Sequence, residues 1–207
     1  IITSCTDSQK LKKAEPIYNK AIIDFSRGNY EDSIKQFDEA IKIYPKYTDA
    51  WIKKGFALTK INKNEEGLKC YDKAIKCDPN SLLAWRNKML ILNTMEQYSG
   101  TIECADKVIA MGKEEYQAWY MKAWALDKTG KSDEAIKCLD NALNINKGLI
   151  QAWYNKGYIL YNQGKYEEAI KCFDKFLEKR PGDEETLKVR GLCYSNLGKY
   201  EDAIKSF

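Results

Sequence analysis

One tryptophan recurs at a fixed interval along the chain. The tryptophans that stand 34 positions apart are Trp51, Trp85, Trp119 and Trp153. Prolines keep the same frame at positions 45, 79 and 181, and glycines share another position of it at 28, 130, 164 and 198. One period kept by independent residue types, without an insertion, indicates a repeated structural unit whose copies contact only their neighbours.

The frame divides the 207 residues into an N-terminal extension, 1–13, and a run of repeats. The repeats span 14–47, 48–81, 82–115, 116–149, 150–183 and, in part, 184–207.

Each repeat is predicted to hold two helices. In 150–183 the apolar spacing predicts one helix that includes 153–160 and a second over 166–178. Gly164 lies between them, where glycine can adopt the left-handed conformation that ends a helix. The segment 181–183 ends the second helix and caps the next one.

A more specific pattern lies inside these helices. The first helix reads Trp-x2-Lys-Gly-x2-Leu at 51–58 and at 153–160, while the second reads Ser-x3-Phe at 33–37 and Ala-x3-Phe at 169–173. Residues 14–207 therefore resemble the tetratricopeptide repeat (TPR), whose signature is Trp-x2-Leu-Gly-x2-Tyr, Ala-x3-Phe and Pro over about 34 residues. The resemblance implies an all-α fold, a right-handed α-solenoid superhelix of antiparallel helix-turn-helix units with the first helices on the inside.

The third repeat departs most from this pattern. Met89 replaces the small residue of the first helix, and Thr101 and Ala105 replace the Ala-x3-aromatic pair of the second. We expect the second helix of 82–115 to pack less well than its counterparts, or to pack differently.

Charge is spread over the repeats with little excess. The 34 Lys and Arg face 30 Asp and Glu, a net charge of +4. Acids begin most second helices and a lysine follows four residues later, as in Glu31 and Lys35, which predicts solvated i,i+4 pairs contributing about 0.2–0.5 kcal/mol each. RNA binding is the least favoured binding function, and we expect no nucleic acid partner, because the groove holds only scattered bases.

Several chemistries are excluded by composition. The chain has no histidine, so it lacks Ser-His-Asp and Cys-His catalytic sites and histidine zinc sites. We expect no enzyme activity, no cofactor and no metal site.

The repeated cysteines, Cys70, Cys104, Cys138 and Cys172, occupy one helix position. Packed helices lie about 8–10 Å apart and a disulfide needs Cα atoms within about 7 Å, which predicts small, semi-buried thiols. An odd total of seven cysteines favours a reducing, cytoplasmic location. The alternative is membrane anchoring as a lipoprotein, with Cys5 as the lipidation site.

By resemblance, the second, fifth, sixth, ninth, twelfth and thirteenth positions of each repeat line the concave groove. The Lys and Asn clamp that grips a peptide carboxylate in chaperone-binding relatives is absent. Aromatic side chains occupy the middle of the groove instead, and such residues dominate binding hot spots. The predicted peptide-binding residues are Arg86, Asn87, Tyr120, Trp124, Asp127, Tyr154, Asn155, Tyr158 and Tyr161. The alternative is that several of these aromatics pack between neighbouring helices.

The resemblance implies a non-catalytic protein-protein interaction scaffold that binds a peptide or a partner protein segment. The alternative function is a recruitment or regulatory segment of a larger enzyme, because both ends of the sequence look like cuts. The partial sixth repeat leaves an apolar end surface, through which we expect end-to-end self-association.

Overall fold

The computed structural model describes residues 6–112 and 115–207. Cys5, the lipidation site of the alternative in which the protein is a lipoprotein, lies outside the described residues. Within these ranges the chain forms twelve helices and no strand. The all-α fold class expected from the repeat is therefore confirmed. The chain divides into two compact units, Ile1–Met111 and Gly112–Phe207.

The first unit contains three helix pairs. Its helices are α1 (Asp7–Ser26), α2 (Tyr30–Ile43), α3 (Thr48–Lys60), α4 (Asn64–Cys77), α5 (Leu82–Thr94) and α6 (Tyr98–Met111). Thr6 begins α1 with a capping box, in which its side chain accepts from Gln9 N while its own N–H donates to Gln9 Oε1. Residues 7–13, set apart in the sequence as an extension, are thus the first turns of α1.

The second unit repeats the arrangement. Its helices are α7 (Tyr116–Lys128), α8 (Ser132–Ile145), α9 (Ile150–Asn162), α10 (Tyr166–Leu177), α11 (Glu184–Asn196) and α12 (Tyr200–Ser206). The last helix and the residue that follows it leave large apolar side chains exposed, at Tyr200, Ile204 and Phe207.

The turn between the two helices of a repeat depends on one left-handed residue. Gly164 has φ +73°, which confirms the conformation predicted from its place in the frame. Asn62 and Glu96 hold the same place in the second and third repeats, with φ of 60° and 56°. The predicted cap is also confirmed, because Asp183 accepts from Thr186 N at 2.9 Å at the start of α11.

Close packing of a glycine against an aromatic ring joins the helices of one repeat. A Cβ added to Gly157 would lie 2.8 Å from Cε1 of Phe173, and one added to Gly55 would lie 2.8 Å from Cε1 of Tyr71. Both rings are almost wholly buried. The small residue of the signature is therefore the floor on which the aromatic of the second helix lies.

The second helix of the third repeat packs differently from its counterparts, which is one of the two outcomes expected from the sequence. Met89 is buried in α5, while Ala105 and Thr101 are wholly buried in α6. In the repeats described above, the first helix carries the small residue and the second helix carries the bulky one. In the third repeat the first helix carries the bulky residue and the second helix the small one. This exchange conserves the volume between the helices, which is what a close-packed interior requires.

Ion pairs join successive repeats inside each unit. The cation on the first helix of one repeat lies against an aspartate on the second helix of the preceding repeat. The pairs are Lys54–Asp38 at 2.5 Å, Lys88–Asp72 at 2.7 Å, Lys156–Asp140 at 2.5 Å and Arg190–Asp174 at 2.8 Å. The cation at the seventh position of the second, third, fifth and sixth repeats, where the signature has leucine, therefore has a structural partner.

The shared period of tryptophan and proline also has a direct cause. Trp51 Nε1 donates to the carbonyl oxygen of Pro45, and Trp85 Nε1 donates to that of Pro79, each at 2.9 Å. The indole thereby fixes the loop that connects one repeat to the next.

The pairing predicted along the outer helices is wrong in its spacing for Lys35 in α2 and Lys205 in α12. Lys35 Nζ lies 2.9 Å from Asp32 Oδ1, three residues before it, and Lys205 Nζ lies 3.6 Å from Asp202 Oδ1. The second acid of the first turn holds the ion pair in both helices, although residues three and four positions away are both neighbours of the lysine on a helix surface.

Burial of the repeated cysteines is more complete than predicted. Cys70, Cys104, Cys138 and Cys172 are all buried. Burial raises the pKa of Cys70, Cys104 and Cys172 to about 11. None of the helices in the described ranges is both long enough and apolar enough to cross a membrane.

Candidate peptide-binding pocket

The second unit contains a pocket of about 210 Å³ formed by α7, α8, α9 and α11. Its floor is apolar, because Ala123, Leu139 and Ile159 contribute to it and are themselves buried. Its walls are the aromatic side chains Trp124, Tyr154 and Tyr158, and its polar rim is formed by Asp127, Lys128, Asn155 and Glu185.

Two of the wall residues remain open to solvent. The exposed fraction is 40% for Trp124 and 43% for Tyr158. Both side chains lie at the ninth position of their repeats, which is why equivalent helix faces bring them to the same pocket. Large aromatic side chains left exposed beside an apolar floor are characteristic of surfaces that a partner covers.

Tyr154 anchors the aromatic wall in the core. Its ring stacks on that of Tyr158 with centroids 6.3 Å apart, and it contacts the buried Phe176 at 5.4 Å. Its hydroxyl donates to Glu185 Oε1 at 3.1 Å. Burial and the hydrogen bond to this carboxylate raise the pKa of Tyr154 to about 12, so the phenol stays protonated and keeps donating.

The two carboxylates of the rim are held by neutral hydroxyl groups. Asp127 Oδ1 accepts from Ser132 Oγ at 3.1 Å, and Glu185 accepts from Tyr154. Among the residues that the structure describes, neither carboxylate forms an ion pair with Lys or Arg. The ammonium of Lys128 lies instead over the indole of Trp124, 4.8 Å from the ring centroid.

The structure brings five of the predicted binding residues to this pocket: Trp124, Asp127, Tyr154, Asn155 and Tyr158. Tyr120 lies behind the rim, where its hydroxyl oxygen accepts from Asn155 Nδ2 at 3.0 Å and burial raises its pKa. Tyr120 therefore orients Asn155.

Tyr161 does not line the pocket. Its ring contacts Tyr158 on one side and Tyr166 on the other, with centroid distances of 6.3 and 5.9 Å, and it packs against the core of the unit. Tyr161 therefore fits the alternative interpretation, in which some of these aromatic side chains pack between neighbouring helices.

Arg86 and Asn87 belong to the first unit. Asn87 lines a different and more polar pocket of about 220 Å³, together with Phe56, Tyr71 and Leu90. Arg86 is half-buried on α5. Their predicted role in peptide binding stays a prediction, separate from the pocket of the second unit.

Residue-level prediction missed two charged members of the pocket, Lys128 and Glu185. Lys128 follows Trp124 by four residues on α7, so both lie on one helix face. Glu185 occupies the second position of the last repeat, one of the groove positions. The positions of both residues in the repeat therefore indicated that they face the groove. The contact of Lys128 with Trp124 and that of Glu185 with Tyr154 depend on side-chain packing, which the repeat pattern does not give.

In the described part of the chain, no three Cys, Asp or Glu side chains converge as a metal site would require.

Comparison with known proteins gives matches along most of the chain. Residues 94–176 match the family model for subunit 3 of the anaphase-promoting complex, or cyclosome. Residues 48–81 and 154–207 match models of the tetratricopeptide repeat, and residues 23–62 match another TPR repeat model.

One curated relative is the uncharacterized protein MJ0572 of Methanocaldococcus jannaschii. It is 35% identical over 57 residues, which are 28% of this chain and 66% of the relative, so the match spans just under two thirds of that protein.

Solved structures share the fold. YrrB, described as a TPR protein with an unusual peptide-binding site, has a TM-score of 0.73 and 25% identity over 82% of this chain and 88% of its own. MamA from Desulfovibrio magneticus RS-1, from residue 41 to the end, has a TM-score of 0.77 and 21% identity over 83% of this chain and 97% of its own. The helix-pair fold, the 34-residue frame and the family matches lead to one conclusion: the chain belongs to the tetratricopeptide repeat family.

Proposed function

We propose that this chain is a non-catalytic scaffold that binds an exposed segment of a partner protein in the pocket of its second unit. The TPR fold supports a protein-interaction role in general. The observation that carries the specific proposal is the pair Trp124 and Tyr158, both at least two fifths exposed beside the buried floor of Leu139 and Ile159.

The pocket suits one side chain of a peptide better than a folded element. Its volume of about 210 Å³ lies below the range of about 300–1,000 Å³ that small-molecule sites occupy. A single anchoring side chain would contact the aromatic walls, while the amide of Asn155 lies at the rim where a peptide backbone passes. Asn155 is held for this role by its hydrogen bond to Tyr120.

Peptide binding in a related protein supports the same reading. YrrB is a TPR protein with a peptide-binding site and shares 25% of its aligned residues with this chain. Only the class of ligand is carried over from YrrB to this chain.

The test is selection of linear peptides from a displayed library on the 207-residue chain, followed by affinity measurement. We expect Tyr158→Ala to weaken the selected peptides about tenfold or more, equivalent to about 1.4 kcal/mol, because it removes half of the exposed aromatic pair. Tyr200→Ala is the matched control, since Tyr200 is an exposed tyrosine on α12 outside the pocket. Equal effects of the two substitutions would remove the pocket from the binding site.

A further inference from the structure

The pocket of the second unit combines aromatic walls with two acidic groups. Asp127 comes from α7 and Glu185 from α11, so the carboxylates reach the rim from different helices. Each accepts a hydrogen bond from a hydroxyl, which uses one oxygen and leaves the negative charge without a cationic partner within the described ranges. A carboxylate has about four lone-pair sites, so both retain acceptor capacity.

The aromatic walls add a second attraction for positive charge. The faces of Trp and Tyr rings carry negative potential, and a cation within about 6 Å of a ring centroid is attracted to them. Lys128 demonstrates this in the pocket itself, because its ammonium lies 4.8 Å from the centroid of Trp124. The exposed ring of Tyr158, on the neighbouring helix α9, has no such cation within the chain as described.

The apolar floor of the pocket indicates the chemistry of the uncharged part of the ligand. Ala123, Leu139 and Ile159 are buried apolar side chains, which would contact a hydrocarbon stem and not a charged head. Lys and Arg have this composition, since they place an apolar stem on apolar surface while the charged head reaches polar groups.

We propose that the partner segment places a lysine or arginine side chain in this pocket, with its stem on the apolar floor and its charged head between the aromatic walls and the carboxylates of Asp127 and Glu185. This inference rests on the proposed function and names the chemistry of the ligand. With two carboxylates and one ammonium, the rim has a net charge of −1 and attracts a cation. An acidic side chain would be repelled by both carboxylates, with Lys128 alone to attract it.

The same library selection tests the inference separately from the function. Peptides are selected on the wild-type chain, counter-selected on Trp124→Ala, and synthesised with the enriched basic residue replaced by Gln or Glu. We expect enrichment of Lys or Arg at one position, and a loss of at least about tenfold in affinity when that residue becomes Gln.

Isosteric variants test the carboxylates. Asp127→Asn and Glu185→Gln keep an oxygen that accepts from Ser132 or Tyr154, so the fold is retained while the charge is lost. We expect the double variant to bind basic peptides at least about tenfold more weakly. The matched control is Glu134→Gln with Glu167→Gln, which makes the same charge change at exposed positions outside the pocket.

The substitution Lys128→Gln should change the affinity for basic peptides and the affinity for acidic peptides in opposite directions. Removing this ammonium should strengthen binding of basic peptides about twofold to fivefold, because it removes a like charge a few ångströms from the ligand. The same substitution should weaken binding of acidic peptides.

The outcomes distinguish the two proposals. Peptides that depend on Trp124 but carry no basic residue at a fixed position, or that weaken on Lys128→Gln, would overturn the inference and leave the proposed function in place. If counter-selection on Trp124→Ala leaves no peptide, and none of the peptides selected on the wild-type chain is weakened by Tyr158→Ala, while circular dichroism shows both variants folded, the proposed function fails as well.

Discussion

Lys88 Nζ lies 2.7 Å from Oδ1 of Asp72, so the first helix of the third repeat is joined to the second helix of the repeat before it. The side chain of Lys88 is 24% exposed and that of Asp72 is 52% exposed. The pair is therefore intermediate between a surface ion pair and a buried one.

We expect a double-mutant cycle of Lys88→Met and Asp72→Asn to give a coupling free energy of about 0.5–1 kcal/mol, measured by urea unfolding. The same cycle on the more exposed pair Lys35 and Asp32 should give about 0.3 kcal/mol. Coupling that does not exceed the control would contradict a role for this pair in joining repeats. At about 1 M salt, where the Debye length is about 3 Å, both couplings should fall.

The pH dependence of this coupling follows from the pKa of Lys88. Burial lowers that pKa, but the hydrogen bond and charge of Asp72 raise it by more, so the net shift is upward. A raised folded-state pKa means that the stabilisation is complete below the unfolded pKa of about 10.4 and is lost as the pH rises through the folded value. The coupling should therefore be unchanged between about pH 7 and 9 and should decline in stronger alkali.

Gly157→Ala should destabilise the chain by about 1–3 kcal/mol, because the new Cβ would lie 2.8 Å from Phe173 Cε1 and 3.1 Å from Cys172 Cβ. Gly182→Ala is the control, since nothing lies within 4 Å of its added Cβ. We expect the control to change the free energy of unfolding by no more than about 0.5 kcal/mol. Similar losses for the two would show that close approach of the helices is not what the glycine provides.

Thiol labelling should separate the cysteines by burial. Cys77 is half-buried, whereas Cys172 is 4% exposed and burial raises its pKa to about 11. Near the ordinary thiol pKa of about 8.5, maleimide should modify Cys77 before Cys70, Cys104, Cys172 or Cys193 under native conditions. Peptide mass spectrometry after timed quenching reports the order. Modification of Cys172 as fast as Cys77 would mean that α9 and α10 open readily.

Tyr154 should titrate late in alkali. Its folded pKa of about 12 exceeds the ordinary value of 10.0, so its contribution to stability is complete below about pH 10 and is lost as the pH rises towards 12. Subtracting the phenolate absorbance of Tyr154→Phe from that of the wild-type chain isolates this group. Glu185→Gln should lower the midpoint, because it removes the charge that opposes the phenolate. A wild-type midpoint near 10 would show that neither burial nor the hydrogen bond to Glu185 holds this phenol in its protonated form.

The helix pairs and their turns could be predicted because their causes are local. Gly164 occupies a position where the chain needs a left-handed residue, and the apolar spacing of 166–178 has the period of a helix. Spacing along a helix did not predict which of two neighbouring acids a lysine pairs with. Lys35 was assigned to Glu31 but pairs with Asp32, since rotamers decide between two acids within reach of one lysine.

The candidate site could be predicted in part. The frame places Trp124 and Tyr158 at one position of successive repeats, so their common face follows from periodicity alone. Tyr120 and Tyr161 occupy equally favourable positions, yet one holds Asn155 and the other packs against Tyr166. These two side chains contact residues of other helices, and the 34-residue period does not predict which of those residues a side chain contacts.

The sequence by itself determined the repeat, the pairing of helices and the face on which Trp124 and Tyr158 lie, because a residue copied every 34 positions meets the same local physics each time. Only the tertiary structure decided that Lys88 pairs with Asp72, that Met89 and Ala105 exchange volume, and that Asp127 and Glu185 meet at an aromatic pocket. These contacts join different helices. Their geometry depends on how side chains fill the space between helices, which a one-dimensional pattern does not contain.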